Sequence, residues 1–333
     1  MLQLDKTEIV IRQRTTLELL DLSLLVIRRY WVPLLTSSAL IGLPLLILNG
    51  LLTGWMIGPR GRFAMADLDY PESAMQQRYL LHMIALWYLE YPLASLPATV
   101  LLGNQIFFDQ LSFKQLLVRL KPVAWRALLV LGVLRMGLVV LPLELLLDAD
   151  SSFNIALEFF VIVVACAGWA TFRRMSKPFA PEILGLETCK LKTKSKSELS
   201  YWRRSITLHD PLASECVARF LVCALVVTGL VMSLYSLTFV GDFVGMRQSK
   251  LQFFNAMLSS QVLVQVMLPL AMWLGGIYAT VFRFLAYIDA RIRLEGWEVE
   301  LQLKAERARM LEALSPVPEG AIAEVPVAEV PVA

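Results

Sequence analysis

The sequence predicts an all-α polytopic membrane protein, with six transmembrane helices in three hairpins and interfacial amphipathic helices beside them. Three observations carry that expectation. The chain of 333 residues is 57% hydrophobic and 18% charged, with a mean hydropathy of +0.61, whereas soluble domains carry roughly 25% charged residues. The apolar residues gather in runs of about 20, the length that crosses a bilayer core. Lysine and arginine are shared unevenly among the segments that join those runs.

The runs fall at 31–56, 80–102, 124–147, 153–172, 216–240 and 258–282. One such run also reads as a buried core helix; six in one chain do not. The first is too long and too far from Met1 for a cleaved signal, and it lacks a small-x-small site. With the N-terminus inside, the inner segments hold 25 of the 31 lysines and arginines. The outer segments hold five, and Arg135 lies within a run. Both termini are therefore expected in the cytoplasm. The net charge of +3 is topogenic rather than a nucleic-acid signature, and its basic side chains suit lipid head groups as partners.

The segment 1–30 forms an interfacial helix. In "TTLELLDLSLLVIRRYWVPLL" Thr15 or Thr16 caps it, and its leucines make a wide apolar face. The membrane domain follows over 31–282, with a cytoplasmic loop at 173–215. The second and third hairpins open on "LSFKQLLVRLKPVAWRALLVL" and "LSYWRRSITLHDPLASECVARFLV", with Tyr30, Trp31 and Trp125 expected at head-group depth. The loop's "CKLKTKSKSELS" lacks apolar periodicity and reads as solvated chain. A cytoplasmic helix follows at 283–314, and a proline-spaced tail, "SPVPEGAIAEVPVAEVPVA", is expected to be disordered over 315–333.

Ionisable residues inside a run imply a role, because a charge at the bilayer centre costs about 2.5–3.5 kcal/mol even on the mildest scale. At 1.5 Å per residue, Arg135 lies about 17 Å into the third run and Glu90 about 15 Å into the second. Both fall near the midplane, so they are expected to pair, with Glu158 the next partner in order and Glu144 reaching outer water. Such a pair either fixes helix register or forms part of a proton or solute pathway. Pro92 and Pro97 should kink the second run, and Pro142 the third.

The stretch "YIDARIRLEGWEVELQ" leaves the last run as a charged box. On a helix Asp289 faces Arg293 and Arg291 faces Glu295, each at i,i+4. Gly296 is a plausible stop. Beyond it Trp297, Val299, Leu301 and Leu303 alternate, which fits either a short strand or a helix continuing with a weak point at Gly296; the continuous helix is preferred. The box is placed to clamp the last run onto the loop, where Arg203, Arg204 and Glu182 are available.

These residues also carry a family resemblance. The box resembles the closing motif Tyr-x-Asp-x-Arg-x-Arg-x-Glu-Gly-aromatic-acid-x-Glu-Leu of bacterial multi-span proteins related to the membrane domain attached to glycerophosphoryl diester phosphodiesterases. "LELLDLSLLVIRRYWVPLL", "KPFAPEILGLE" and "SYWRRSITLH" are similar to further segments of that group. The resemblance implies six spans in a bacterial inner membrane and neighbourhood with envelope-associated proteins. The chain departs from the group in its Lys/Ser insertion and has no phosphodiesterase catalytic domain, so the resemblance implies no enzyme activity.

No G-x-S-x-G, H-E-x-x-H, G-x-x-x-x-G-K-[ST] or G-x-G-x-x-G occurs. Cys166, Cys189, Cys216 and Cys223 form no C-x-x-C, and His82 and His209 stand apart, so no metal, cofactor or disulfide is expected. Two functions come ahead of a third, an intramembrane enzyme. The first is a non-enzymatic scaffold or accessory subunit that binds partners through its cytoplasmic elements. The second is a transporter of a small or lipidic solute using the Glu90–Arg135 site. The oligomeric state stays open.

Overall fold

A computed structural model describes residues 13–56, 72–105, 112–148, 159–192, 199–247 and 266–296. These residues are helices joined by turns, with no strand among them.

Helix α1 (Thr16–Thr53) starts where Thr15 Oγ1 accepts the Glu18 N–H at 3.3 Å. It bends at Tyr30 (φ −116°, ψ 27°). The cause lies three residues on: Pro33 brings no N–H to the preceding turn, and its ring crowds that turn's carbonyls. The part of the expected interfacial helix from Thr16 and the first apolar run are thus one helix with a kink at their junction; residues 1–12 lie outside the described residues.

The second run is divided into α2 (Glu72–Ala94) and α3 (Leu96–Gln105), which meet at Ser95. Pro92 and Pro97 flank the break, and Ser95 Oγ donates to the Pro92 carbonyl at 2.9 Å. Helix α4 (Phe113–Ala127) begins with a capping box in which Ser112 and Gln115 satisfy each other's backbone N–H. It buries Leu116, Leu120, Val123 and Ala127 and exposes Phe113, Val118 and Trp125.

The third run is not one helix either. A π-helical stretch, Leu128–Val133, ends in a turn over 134–139, where Met136 is left-handed (φ 67°). The chain resumes as α5 (Val140–Asp148). Pro142 then lies in the first turn of α5, where no N–H is needed, so the expected kink is replaced by a helix start.

A second π-helical stretch, Phe160–Ala167, leads into α6 (Gly168–Ser176). Short helices α7 (Ala180–Gly185) and α8 (Tyr201–His209) follow. The long helices α9 (Ala213–Arg247) and α10 (Leu268–Glu295) complete the set. Helix α10 stops at Gly296 in the left-handed conformation (φ 59°, ψ 30°), which costs glycine nothing. The preferred continuous helix through Gly296 is therefore corrected: helix ends at Glu295. Trp297 and the alternating residues lie outside the described residues.

Three helical stretches are long and apolar enough to cross a membrane: Thr16–Thr53, Tyr201–Leu234 and Leu268–Glu295. Their apolar windows are 28%, 11% and 67% buried respectively. This ranking makes α10 the central helix and α9 a peripheral one. The outward residues of α9 and α1 include Leu221, Leu225, Met232, Ile47 and Leu51. Soluble proteins rarely leave such contiguous apolar surface in water; lipid is its natural solvent. Among the described residues, the runs at 80–102 and 124–147 coincide with interrupted helices, and the run at 153–172 with a helix that is π-helical over Phe160–Ala167.

Helix α10 packs against α1, α3 and α9. Its close approach depends on Gly275 and Gly276. A Cβ on Gly276 would strike the Tyr91 ring, and one on Gly275 would meet Val231 Cγ2 at 2.9 Å. Tyr91 Oη donates to the Gly276 carbonyl and also meets Thr280 Oγ1, which ties α2 to α10 at this crossing.

Candidate functional site

One end of the bundle is held by a network of ion pairs. Asp289 on α10 pairs with Arg219 of α9 at 2.5 Å and with Arg293 at 3.0 Å, and it accepts the Arg14 backbone N–H at 2.8 Å. Glu215 accepts from both Arg219 (2.6 Å) and Arg293 (3.0 Å). One carboxylate of α10 thus gathers α9, α10 and the start of α1. Beside it, Arg204 of α8 pairs with Glu187 at 2.6 Å and with Glu295, which also holds Arg291 at 2.8 Å. Tyr287 Oη donates to Glu187 at 2.6 Å. Deeper in α10, Arg283 reaches Glu182 at 2.7 Å, Ser95 at 3.1 Å and Thr99 at 3.4 Å.

Next to this network lies a cavity of about 410 Å³ between α2, α6, α9 and α10, within the roughly 300–1,000 Å³ range of ligand sites. Its walls are apolar: Trp87, Tyr91 and Pro92 from α2, Cys223 and Val227 from α9, Met272 and Ala279 from α10. Among the described residues its charged lining is four arginines, Arg135, Arg174, Arg219 and Arg283. They fall into two classes. Arg219 and Arg283 are neutralised by Asp289, Glu215 and Glu182. Arg135 and Arg174 are held by neutral groups.

Arg135 is 4% exposed and donates through Nη2 to the Lys177 carbonyl at 2.5 Å. Arg174 donates to the Tyr88 carbonyl and lies over the Tyr88 ring, with Cζ 3.8 Å from its centroid. That carbonyl is open to Arg174 because residue 92, whose N–H would otherwise bond it, is proline. Arg174 Nε is buried and has no partner among the described residues. Neither arginine has a carboxylate partner among the described residues.

The expected Glu90–Arg135 pair does not form. Glu90 is buried against α1, where Asn49 Nδ2 donates to its Oε2 at 2.7 Å. The third run is not an unbroken helix, and the turn at 134–139 carries the Arg135 side chain to Lys177 at the end of α6. The two segments do touch: a Cβ on Gly137 would meet the Leu89 carbonyl at 2.7 Å and Glu90 Cα at 3.3 Å. The backbones are adjacent and the side chains diverge. Glu158 lies outside the described residues.

Glu144, expected in outer water, is 4% exposed and meets His82 Nδ1 at 2.7 Å. His209 uses both nitrogens: Nδ1 donates to the Ser205 carbonyl at 2.6 Å, and Nε2 accepts the Phe179 N–H at 3.1 Å. It is therefore a neutral structural histidine that pins α7 to α8. No cluster of three or more metal-ligating side chains occurs among the described residues.

Comparison with family models, with curated proteins and with solved structures gives no match. The likeness to the phosphodiesterase-associated membrane domain rests on its motifs alone. Sequence reasoning missed the cavity because it counted Arg174, Arg219 and Arg283 as orienting charges. A usable signal was present: "TFRRM", "VARFLV" and "VFRFLAY" each set an arginine against an aromatic at the end of an apolar run.

Proposed function

We propose that this chain is a six-span bacterial inner-membrane protein, with both termini cytoplasmic, whose cavity receives a lipidic solute for transport or carriage. The observation that carries this reading is the apolar cavity of about 410 Å³ with guanidinium groups in its lining. An apolar body with a few convergent polar groups is the usual form of a small-molecule site. The motif likeness and the asymmetry of Lys and Arg support the same layout. The solute site is the cavity of Arg135 and Arg174, and Glu90 has a separate structural role against Asn49.

The scaffold reading draws less support. Arg204, Glu187, Glu295, Arg219 and Asp289 are spent on one another, so the charged end acts as an internal clamp. Docking of envelope-associated proteins would use other surfaces.

The test is to purify the full chain and identify retained amphiphiles by native mass spectrometry. Ala224→Trp, which places an indole in the cavity, should abolish retention while leaving the protein folded. Retention equal to wild type would contradict the assignment.

A further inference from the structure

We infer that Arg135 and Arg174 bind the phosphate of an anionic lipid whose hydrocarbon chain lies along α10. The inference rests on the proposed cavity function and specifies its ligand.

A guanidinium under apolar surroundings is costly unless an anion meets it. Of the four arginines at the cavity, two have acidic partners and two have none among the described residues. The unmatched pair is fixed in place: Arg135 by the Lys177 carbonyl, Arg174 by the Tyr88 carbonyl and ring. These contacts satisfy some donors without cancelling charge. The remaining donors, including the unpartnered Nε of Arg174, are left for an acceptor. Guanidinium groups match phosphate oxygens in geometry, often two bonds at a time.

Shape gives the rest of the ligand. The lining follows α10 from Ala286 to Leu268, about 27 Å at 1.5 Å per residue. Over that length it is walled by Phe282, Ala279, Gly276, Met272 and, from α9, Val227 and Val231. A free phosphate would leave this apolar length unused. A hydrocarbon chain running along α10 from a phosphate held by Arg135 and Arg174 occupies the apolar part of it.

The experiment uses the purified full chain in neutral detergent. Phosphatidylglycerol and phosphatidylcholine are added in equal amounts, and bound lipid is read by native mass spectrometry. Wild type should retain phosphatidylglycerol at least tenfold over phosphatidylcholine. Arg135→Gln and Arg174→Gln should each remove that preference. Arg135→Lys should keep part of it, and Arg173→Gln, whose side chain is outside the cavity lining, should keep all of it. Each variant's unfolding temperature is measured alongside.

Equal retention of the two lipids by wild type overturns the inference, even if a glutamine variant fails to fold. Wild-type preference that persists in both glutamine variants also overturns it. Displacement of the lipid by millimolar inorganic phosphate would mark the site as one for the free anion and overturn the lipid assignment. If Ala224→Trp abolishes binding while the glutamine variants do not, the cavity function stands and the head-group inference falls. If none of the variants changes binding, both fall.

Discussion

Arg219 and Asp289 meet at 2.5 Å across the α9–α10 interface, with side chains 5% and 2% exposed. Asp289 also receives Arg293 and the Arg14 backbone N–H, so three parts of the chain depend on one carboxylate. Removing one partner of a buried pair costs about 3–5 kcal/mol, because the other charge is left uncompensated. Asp289→Ala should lower stability by about that amount in detergent unfolding. Adding Arg219→Leu should recover part of the loss. A double variant less stable than Asp289→Ala by the full cost of a second lesion would show that the two residues act independently.

Glu90 and Arg135 have different partners, so exchanging their charges should rescue nothing. Glu90→Arg combined with Arg135→Glu should be no more stable than the worse single variant. Glu90→Gln retains an acceptor for Asn49 and should stay within about 1 kcal/mol of wild type. Glu90→Leu leaves the Asn49 amide unsatisfied and should cost about 1–3 kcal/mol. Rescue by the charge exchange in an unfolding assay would restore the direct pair.

Gly276 and Gly50 give a matched contrast. A Cβ at Gly276 strikes the Tyr91 ring, whereas one at Gly50 meets nothing within 4 Å. Gly276→Ala should destabilise by about 1–3 kcal/mol through overpacking. Gly50→Ala should be neutral or stabilising by up to about 1 kcal/mol, since it is helical and unhindered. Equal effects in thermal unfolding would argue against the tight α2–α10 crossing.

Burial pushes the Cys189 thiol above its ordinary range, and the nearby Glu187 carboxylate adds to the shift. A raised pKa means less thiolate at neutral pH, hence slower alkylation. Maleimide labelling of Cys189 should be slower than that of a cysteine in an unstructured peptide and should accelerate as pH rises. Glu187→Gln should increase the neutral-pH rate. Labelling as fast as the peptide at every pH would contradict this setting.

Much of the fold was legible because its signals are local. Thr15 and the i,i+4 spacing of Asp289, Arg291, Arg293 and Glu295 act within one or two turns, whereas the stop at Gly296 was legible only as the alternative to the preferred continuous helix. Pro92 and Pro97 marked the weak point of the second run. The fate of the third run was not legible. Mean hydropathy cannot distinguish an unbroken helix from one that turns at Met136, and the placement of Arg135 followed from that choice. The cavity was hidden for a related reason: whether an arginine orients a chain or lines a site depends on the helix facing it.

A cryo-EM reconstruction of the full chain in nanodiscs containing phosphatidylglycerol tests whether the arginine-lined cavity holds a lipid. Elongated density is expected along α10, between Tyr91 and Val227, with its head within hydrogen-bonding distance of Arg135 and Arg174. A cavity closed by protein side chains, or carboxylates of the chain itself paired with both arginines, would contradict it.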